Sequence, residues 1–424
     1  MDFASHLKSY LNEEEIEKLL SSLHGQSKHA LLFNEEKISE ETLLSIYPHL
    51  EKHPIVKNGF LYDKNEYDLG KSVLHELGAF YLQEPSAMLV SYLLNLQKEK
   101  LVLDLCAAPG GKSVQASLIM KGNGLIISND IAINRAKIIK ENAERMGLEN
   151  LLVVSNDFST IYLKYLNSFD AIILDAPCSG SGMFRKNEEM VNDWSINKVY
   201  KYRDIQKELI LMCYKMLKKG GKLIYSTCSF SYEEDEEVSH YLLDNTDALY
   251  LPFEFNPYFY ESKDKLGIHL FPYLFPGEGH YICLFQKPGE LVPYQNKEKN
   301  KKQLFDNKHL FTYGGISYLT NYDFPLKDFN VLRNGVKLGD TLLSDEIKYD
   351  IHYARSVKTF PHILEIDLKN TLKYLKGESL DITYPKGYVL LRYLGINIDI
   401  AKSDGRIIKN RYPKYMRRVN LSDK

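Results

Sequence analysis

The stretch Leu101-Val102-Leu103-Asp104-Leu105-Cys106-Ala107-Ala108-Pro109-Gly110-Gly111-Lys112-Ser113 sets a short apolar run directly before a glycine-rich turn and the start of an amphipathic segment. Strand, tight turn and helix in that order open a doubly wound α/β fold. Four more runs follow: Gly124-Leu125-Ile126-Ile127-Ser128, Leu151-Leu152-Val153-Val154, Ala171-Ile172-Ile173-Leu174 and Lys222-Leu223-Ile224-Tyr225, with helical patterns between them. Near-continuous apolar strands alternating with helices predict a Rossmann-like parallel sheet covered on both faces, over residues 76–290.

The glycine loop has two rivals to exclude. A phosphate-cradling Gly-x-x-x-x-Gly-Lys-Ser/Thr needs glycine where Cys106 stands, and a nicotinamide-binding Gly-x-Gly-x-x-Gly is absent. What remains is a tight turn whose backbone N–H groups can approach a carboxylate at a helix start. Asp130 ends the second run, twenty residues after Gly110, where its carboxylate can accept from both hydroxyls of a ribose. Asp157 follows the third run and Asp175 the fourth. A carboxylate alone is most simply a turn or cap residue, but three at successive strand ends suit an adenosyl cofactor.

Of five cysteines, Cys178 and Cys228 lie in Asp175-Ala176-Pro177-Cys178-Ser179-Gly180 and Ser226-Thr227-Cys228-Ser229, each just after a strand run. In a doubly wound sheet the carboxyl ends of neighbouring strands open into one crevice, so these thiols converge on one substrate and point to covalent chemistry. Cys106, Cys213 and Cys283 read as inert core thiols. An odd number of cysteines without a Cys-x-x-Cys pair argues against a disulfide framework and a zinc site, so no metal is expected. The run Glu233-Glu234-Asp235-Glu236-Glu237 after Ser231 reads as an acidic helix start.

The 424 residues carry 44% hydrophobic and 26% charged side chains, an ordinary globular composition. No apolar stretch approaches a bilayer span and the first residues lack a signal-peptide pattern, so a cytoplasmic protein without membrane contact is expected. Residues 10–24 repeat apolar positions at helical spacing and mark an N-terminal helical unit within residues 1–75; 294–303 read as a solvated linker. Turn dipeptides Asn334-Gly335, Lys386-Gly387 and Asp404-Gly405 punctuate one or two small α+β or β-barrel modules beyond it. Net charge is −2, so nucleic-acid contact must come from local patches. From Ala401 onward eight basic residues, Lys424 among them, face Asp404 and Asp423, a local charge of +6. Arg185, Lys186, Lys198, Lys201 and Arg203, interleaved with Phe184, Trp194, Tyr200 and Tyr202, are either an RNA path or a packed helix with a basic face.

These motifs, with Gln83-Glu84-Pro85-Ser86-Ala87-Met88 and Phe275-Pro276-Gly277-Glu278-Gly279-His280, closely resemble the NOL1/NOP2/Sun family of RNA (cytosine-5)-methyltransferases over residues 80–287. The segments Leu332-Arg333-Asn334-Gly335-Val336-Lys337-Leu338-Gly339, Lys386-Gly387-Tyr388-Val389 and Lys409-Asn410-Arg411-Tyr412-Pro413-Lys414 resemble the C-terminal extension of its bacterial 16S rRNA branch. The resemblance implies a class I methyltransferase domain (76–290), an N-terminal RNA-binding unit (1–75), a linker (291–306), a small intermediate domain (307–360) and a PUA-like RNA-binding domain (361–424). The implied cofactor is S-adenosyl-L-methionine, held by Cys106, Ala107, Ala108, Pro109, Gly110, Gly111, Lys112, Asp130, Arg135, Asp157 and Asp175. The implied partner is 16S rRNA or the small ribosomal subunit, at the decoding region, met by a monomer. Two alternatives stand beside it: the same chemistry on tRNA or DNA, and a non-catalytic ribosome-assembly factor.

C5 of cytosine takes a methyl group only after something adds at C6, and a base must then remove the C5 proton. By resemblance Cys228 is the nucleophile, Cys178 assists release and Asp175 holds the base edge. A free thiol of pKa about 8.5 is mostly protonated at neutral pH, so positive potential from Lys112 or the cofactor is expected beside Cys228.

Overall fold

The apolar runs form parallel strands β1 (Leu101–Asp104), β2 (Leu125–Asn129), β3 (Leu151–Val154), β4 (Phe169–Asp175) and β5 (Leu217–Thr227) of a computed structural model. Strand β6 (Tyr281–Gln286) adds antiparallel to β5, and β7 (Val331–Asn334) adds antiparallel to β3. The structure describes residues 2–186, 189–295, 304–305, 308–313, 316–322, 324–340, 348–418 and 420–421. Spatial order runs β6-β5-β4-β1-β2-β3-β7 within a nine-stranded sheet, so strand order reverses between β1 and β4. That switch point is where such a sheet opens a crevice at its carboxyl edge.

Alternation along each strand divides the core into two layers. Val102, Ile126, Ile173, Ile224 and Ile282 point to the face covered by helices α1 (Gly111–Ile119) and α2 (Ile133–Met146). Leu103, Ile127, Ile172, Leu223 and Tyr281 point to the face covered by α3 (Ile196–Met216) and α4 (Glu236–Asn245).

The N-terminal unit has the expected helix, Glu13–Ser22, started by an Asn12–Glu15 capping box. It also holds a four-stranded antiparallel sheet built around His29–Phe33, whose run Ala30-Leu31-Leu32-Phe33 is wholly buried and so shows no alternation to betray a strand. Beyond the nine-stranded sheet lie a five-stranded sheet and a second sheet of order 363–365, 387–393, 396–403, 408–409, packed with helix Leu368–Lys376. Among the described residues no helix is long and apolar enough to cross a membrane.

One expectation needs correction. The stretch from 294 is not free at its start: the Tyr294 N–H donates to both oxygens of buried Asp170, at 3.1 and 2.9 Å, while 296–303 lie outside the described residues. The C-terminal sheet packs against the N-terminal unit, where Val389, Leu391, Ile398 and Tyr412 share one apolar cluster with Leu31, Phe33, Phe60 and Phe80. A polar knot pins the junction: Glu76, 5% exposed, accepts from the Tyr412 hydroxyl at 2.5 Å and pairs with Arg355 and Arg418, each at 3.4 Å.

Candidate active site

Asp175 ends β4 and Thr227 ends β5, neighbouring parallel strands, so the loops that follow them emerge side by side. The result is a contact of 3.0 Å between the sulfurs of Cys178 and Cys228, both partly exposed. Gly182 permits the approach: its N–H donates to the Cys228 carbonyl at 2.8 Å, and a Cβ there would sit 2.8 Å from that same oxygen.

A carboxylate that sequence reasoning assigned to a helix start ties the loops together. Glu234, fully buried, accepts the Ser179 N–H at 2.8 Å, the Gln206 amide at 3.1 Å, the Ser229 hydroxyl at 2.7 Å and the Ser179 hydroxyl. Burial pushes its carboxyl above the usual range, against the four bonds that oppose the shift. The helix α4 begins only at Glu236, and Asp235 and Glu236 are buried beside His269 with ligand-type atoms within 4.8 Å of one another. Burial first, and Glu236 next, hold the Asp235 carboxyl well above its usual range. The run does lead into a helix start, with Glu236 and Glu237 in the first turn of α4, but 234–236 are buried, and the sequence signal for Glu234 was its position, six residues past Cys228.

Asp175 occupies the wall beside the thiols. Its oxygens take Lys112 at 2.7 Å and the Ser226 hydroxyl at 2.7 Å, with His280 Nε2 3.8 Å away. Burial raises its carboxyl, but Lys112, His280 and Ser226 outweigh burial and hold it below the ordinary range, so Asp175 is an anion. Lys112, expected against the cofactor, is thus first of all the partner of Asp175; burial would lower its amine, but Asp175, Asp104 and Cys228 together raise it. Behind His280 stands a second layer that the sequence did not assign a role. Ser86 Oγ lies 3.0 Å from His280 Nδ1, and Glu84 accepts the Ser86 hydroxyl, the Ala87 N–H and the Glu278 N–H at 2.5, 2.8 and 2.7 Å. Burial and Lys112 lower the His280 pKa, with Asp175 and Glu84 pulling the other way.

The glycine loop, Cys106 to Lys112, sits at the carboxyl end of β1 and leads into α1. Gly110 has φ +107°, and a Cβ there would also press on Ile139 at 3.2 Å. Asp104 is buried under the loop with one oxygen on Ser113 Oγ at 2.6 Å and the other without a partner among the described residues. Asp130, 2% exposed at the end of β2, accepts the Ala132 N–H at 2.9 Å and lies 3.5 Å from Arg135, which also reaches the Ala108 carbonyl at 3.1 Å. Asp157 stands apart: it is exposed and one oxygen takes the Ser159 N–H and hydroxyl, the behaviour of a cap. Asn129, unremarked in the sequence, joins the strand ends by donating to the Leu105 and Asn156 carbonyls at 3.0 and 3.1 Å.

The aromatic-basic segment after Cys178 divides. Phe184 and Trp194 are buried against Phe3, and Arg185 pairs with buried Glu278 at 2.8 Å, so these three are packing residues. Arg203 lies over Tyr200 and pairs with Asp204 and Glu237. In the basic tail Arg411 donates to the Ile400 and Tyr349 carbonyls and Arg418 pairs with Glu76, which leaves fewer free cations than the count suggested; Asp423 and Lys424 lie outside the described residues.

The family model for 16S rRNA methyltransferase RsmB/F matches residues 91–286, that for the N-terminal domain of 16S rRNA methyltransferase RsmF matches 1–85, and that for the methyltransferase RsmF PUA domain matches 361–418. The chain is 30% identical over 391 residues to ribosomal RNA small subunit methyltransferase F of Shewanella woodyi, covering 82% of this chain and 81% of that one. The protein of that name from Shewanella piezotolerans is 29% identical over 427 residues, covering 90% and 89%. Among solved structures, a methyltransferase homolog from Pyrococcus horikoshii superposes with TM-score 0.60 at 27% identity, covering 67% of this chain and 94% of that one. NSun6 from the same organism superposes with TM-score 0.61 at 20% identity, covering 68% and 98%, and shares the Rossmann-like fold. With all three models in register along the sheet and its flanking modules, the chain belongs to the RsmF family of 16S rRNA methyltransferases, within the NOL1/NOP2/Sun group.

Proposed function

We propose that this protein methylates C5 of cytosine in 16S rRNA, at the decoding region, through a covalent adduct between Cys228 and C6. The observation that carries the reading is the pair of thiols 3.0 Å apart beside an anionic Asp175. One thiol alone would suffice for addition; a second at that distance answers the need to remove the C5 proton and free the enzyme.

The crevice suits S-adenosyl-L-methionine, which when bound supplies an electrophilic methyl group on a sulfonium. Gly110 and Gly111 leave the loop without side chains, and Asp130 offers a buried carboxylate at the next strand end. Arg135, Asp157 and the rest of the loop complete the set assigned to that cofactor.

Asp175 is placed to accept from the exocyclic amine of a flipped cytosine, and Lys112 keeps it ionised in a partly buried site. Its anionic state argues against Asp175 as a ready proton source for N3; the adjacent Lys112 ammonium is the better donor. In the free protein the hydrogen bond with Cys228, then burial, raise the Cys178 pKa strongly, and either sulfur can be the donor of the pair. Once Cys228 is bound to C6 that hydrogen bond is gone, and with it the largest reason for Cys178 to hold its proton.

Bisulfite sequencing of 16S rRNA from a deletion strain tests the substrate. At least one methylated cytosine should become unmethylated and regain methylation on complementation. An unchanged methylation pattern at every 16S cytosine overturns the assignment.

A further inference from the structure

A cleft of about 300 Å³ opens beside Glu84, between the N-terminal sheet and the segment that follows Cys178. On one side the rings of His29 and Tyr62, a cross-strand pair, lie 5.6 Å apart and tilted by 35°. Around it stand the exposed Lys28, Lys64 and Lys186. Lys28 has Glu51 at 3.6 Å, but among the described residues Lys64 and Lys186 have no ion-pair partner. The acids at the cleft are already engaged: Asp68 with Lys71 at 2.6 Å, and Glu84 with Ser86, Ala87 and Glu278. Burial, then Lys186 and Lys64, lower the pKa of the His29 ring against the opposing pull of Glu278 and Asp63, so both cations are felt at that ring.

Two connections tie this cleft to the thiols. Glu84, part of its lining, anchors the Ser86–His280–Asp175 row of the active-site wall. Lys186 follows Arg185, which is held by Glu278 at 2.8 Å and by the Gly277 carbonyl at 2.8 Å. A strand of RNA with one base flipped toward Cys228 must pass its neighbouring nucleotide somewhere nearby, and single-stranded RNA is held by cations on phosphate and by rings against bases.

We propose that this cleft is the subsite for a nucleotide flanking the target base, with Lys64 and Lys186 on its phosphates and the His29 ring, backed by the buried Tyr62, against its base. The inference rests on the reading of the site as one that acts on RNA. It gives the N-terminal unit a definite contact residue set, where the basic tail offers mostly structural arginines.

The test uses the full chain, its Lys64→Ala/Lys186→Ala variant and a Lys98→Ala control from the opposite edge of the sheet. The probe is a single-stranded 16S rRNA fragment. Each lost phosphate contact should lower the log–log salt slope by about 0.7, so two contacts cost about 25-fold in affinity at 0.1 M salt. S-adenosylmethionine affinity and thermal midpoint should not change, and methylation should show a raised KM with kcat retained. His29→Ala should weaken binding with the slope unaltered. A double variant with the affinity and slope of the Lys98→Ala control overturns the subsite. So does normal binding to the fragment with activity lost only on the assembled subunit, which would place a ribosomal protein in the cleft. Failure of the unmodified chain to bind the fragment at any salt would instead count against the RNA reading itself.

Discussion

Replacing Glu234 separates its bridging role from its charge. Its carboxylate holds four donors from three residues: one oxygen takes the Ser179 N–H and Gln206, the other the hydroxyls of Ser179 and Ser229. In Glu234→Ala all four lose their acceptor inside a fully buried site. At about 1–3 kcal/mol for each unsatisfied buried group, with relaxation and hydroxyl rotation recovering part, the expected loss is about 3–5 kcal/mol. Glu234→Gln keeps the shape and one carbonyl for the Ser179 N–H and Gln206. Its amide can donate to the two serine hydroxyls, which turn to accept. That variant should lose only about 1 kcal/mol. Urea unfolding of both variants gives the stabilities, and methylation kinetics give the consequence for the thiols: kcat should fall steeply for Ala and modestly for Gln, with cofactor affinity unchanged in both. If the two variants lose the same stability, or if Ala retains the kcat of the unmodified protein, the carboxylate does not bridge the cysteine loops as argued.

Other outcomes follow from particular contacts. Cys228→Ala should abolish methylation and covalent RNA capture, whereas Cys178→Ala should capture RNA and fail to release it; a denaturing gel showing the opposite pattern reverses the roles. Asp130→Ala should weaken S-adenosylmethionine binding by about 1–3 kcal/mol with RNA affinity intact, and calorimetry with unchanged affinity removes the ribose role. Truncation after residue 360 should weaken RNA binding but also lower the thermal midpoint of the remainder, because it uncovers Leu31, Phe33 and Glu76; an unshifted midpoint would mean the shared cluster contributes nothing. Asp104 has its carboxyl pushed up to about 7, chiefly by burial, so the folded state holds that proton more tightly than the unfolded chain and stability falls as pH rises from about 4 to 7. Asp104→Asn should therefore gain up to about 4 kcal/mol over the unmodified protein at pH 8 and much less at pH 5, and equal differences at the two pH values would contradict that linkage.

What could be read from the chain was whatever chemistry packs into a few consecutive residues. The five strand runs, the turn Cys106–Lys112 and both cysteine loops are local, because a parallel strand buried on both faces must be a continuous apolar run and its functional residues must follow its carboxyl end. The rest of the site is made by long-range meetings. Glu84 and Glu278 sit 194 residues apart, and nothing in either segment says that the N–H of one will find the carboxylate of the other. Glu234 was obscured by its own neighbours, since five acidic residues in a row look solvated until the fold buries three of them. Arg185 and Trp194 show the converse, residues with RNA-binding chemistry that the fold spends on packing against Glu278 and Phe3.

The long-range meetings also decide how the modules cooperate. The row Glu84–Ser86–His280–Asp175–Lys112 starts at the end of the N-terminal sheet, whose last strand is Phe80–Gln83, and finishes at the first turn of α1 beside the glycine loop. Each member is at least partly buried and each has a stated partner, so Asp175 cannot turn without disturbing His280 toward the N-terminal sheet and Lys112 beside the glycine loop. On the far side of the N-terminal sheet, Glu76 and the shared apolar cluster fix the same unit to the C-terminal module. The N-terminal unit is therefore the part through which both the extension and Asp175 are positioned, and Glu84 belongs both to the cleft on its surface and to this row. In the proposed subsite a substrate strand would be held by the same unit that orients Asp175, which gives a physical reason to build such a subsite into the wall of the site rather than tether it.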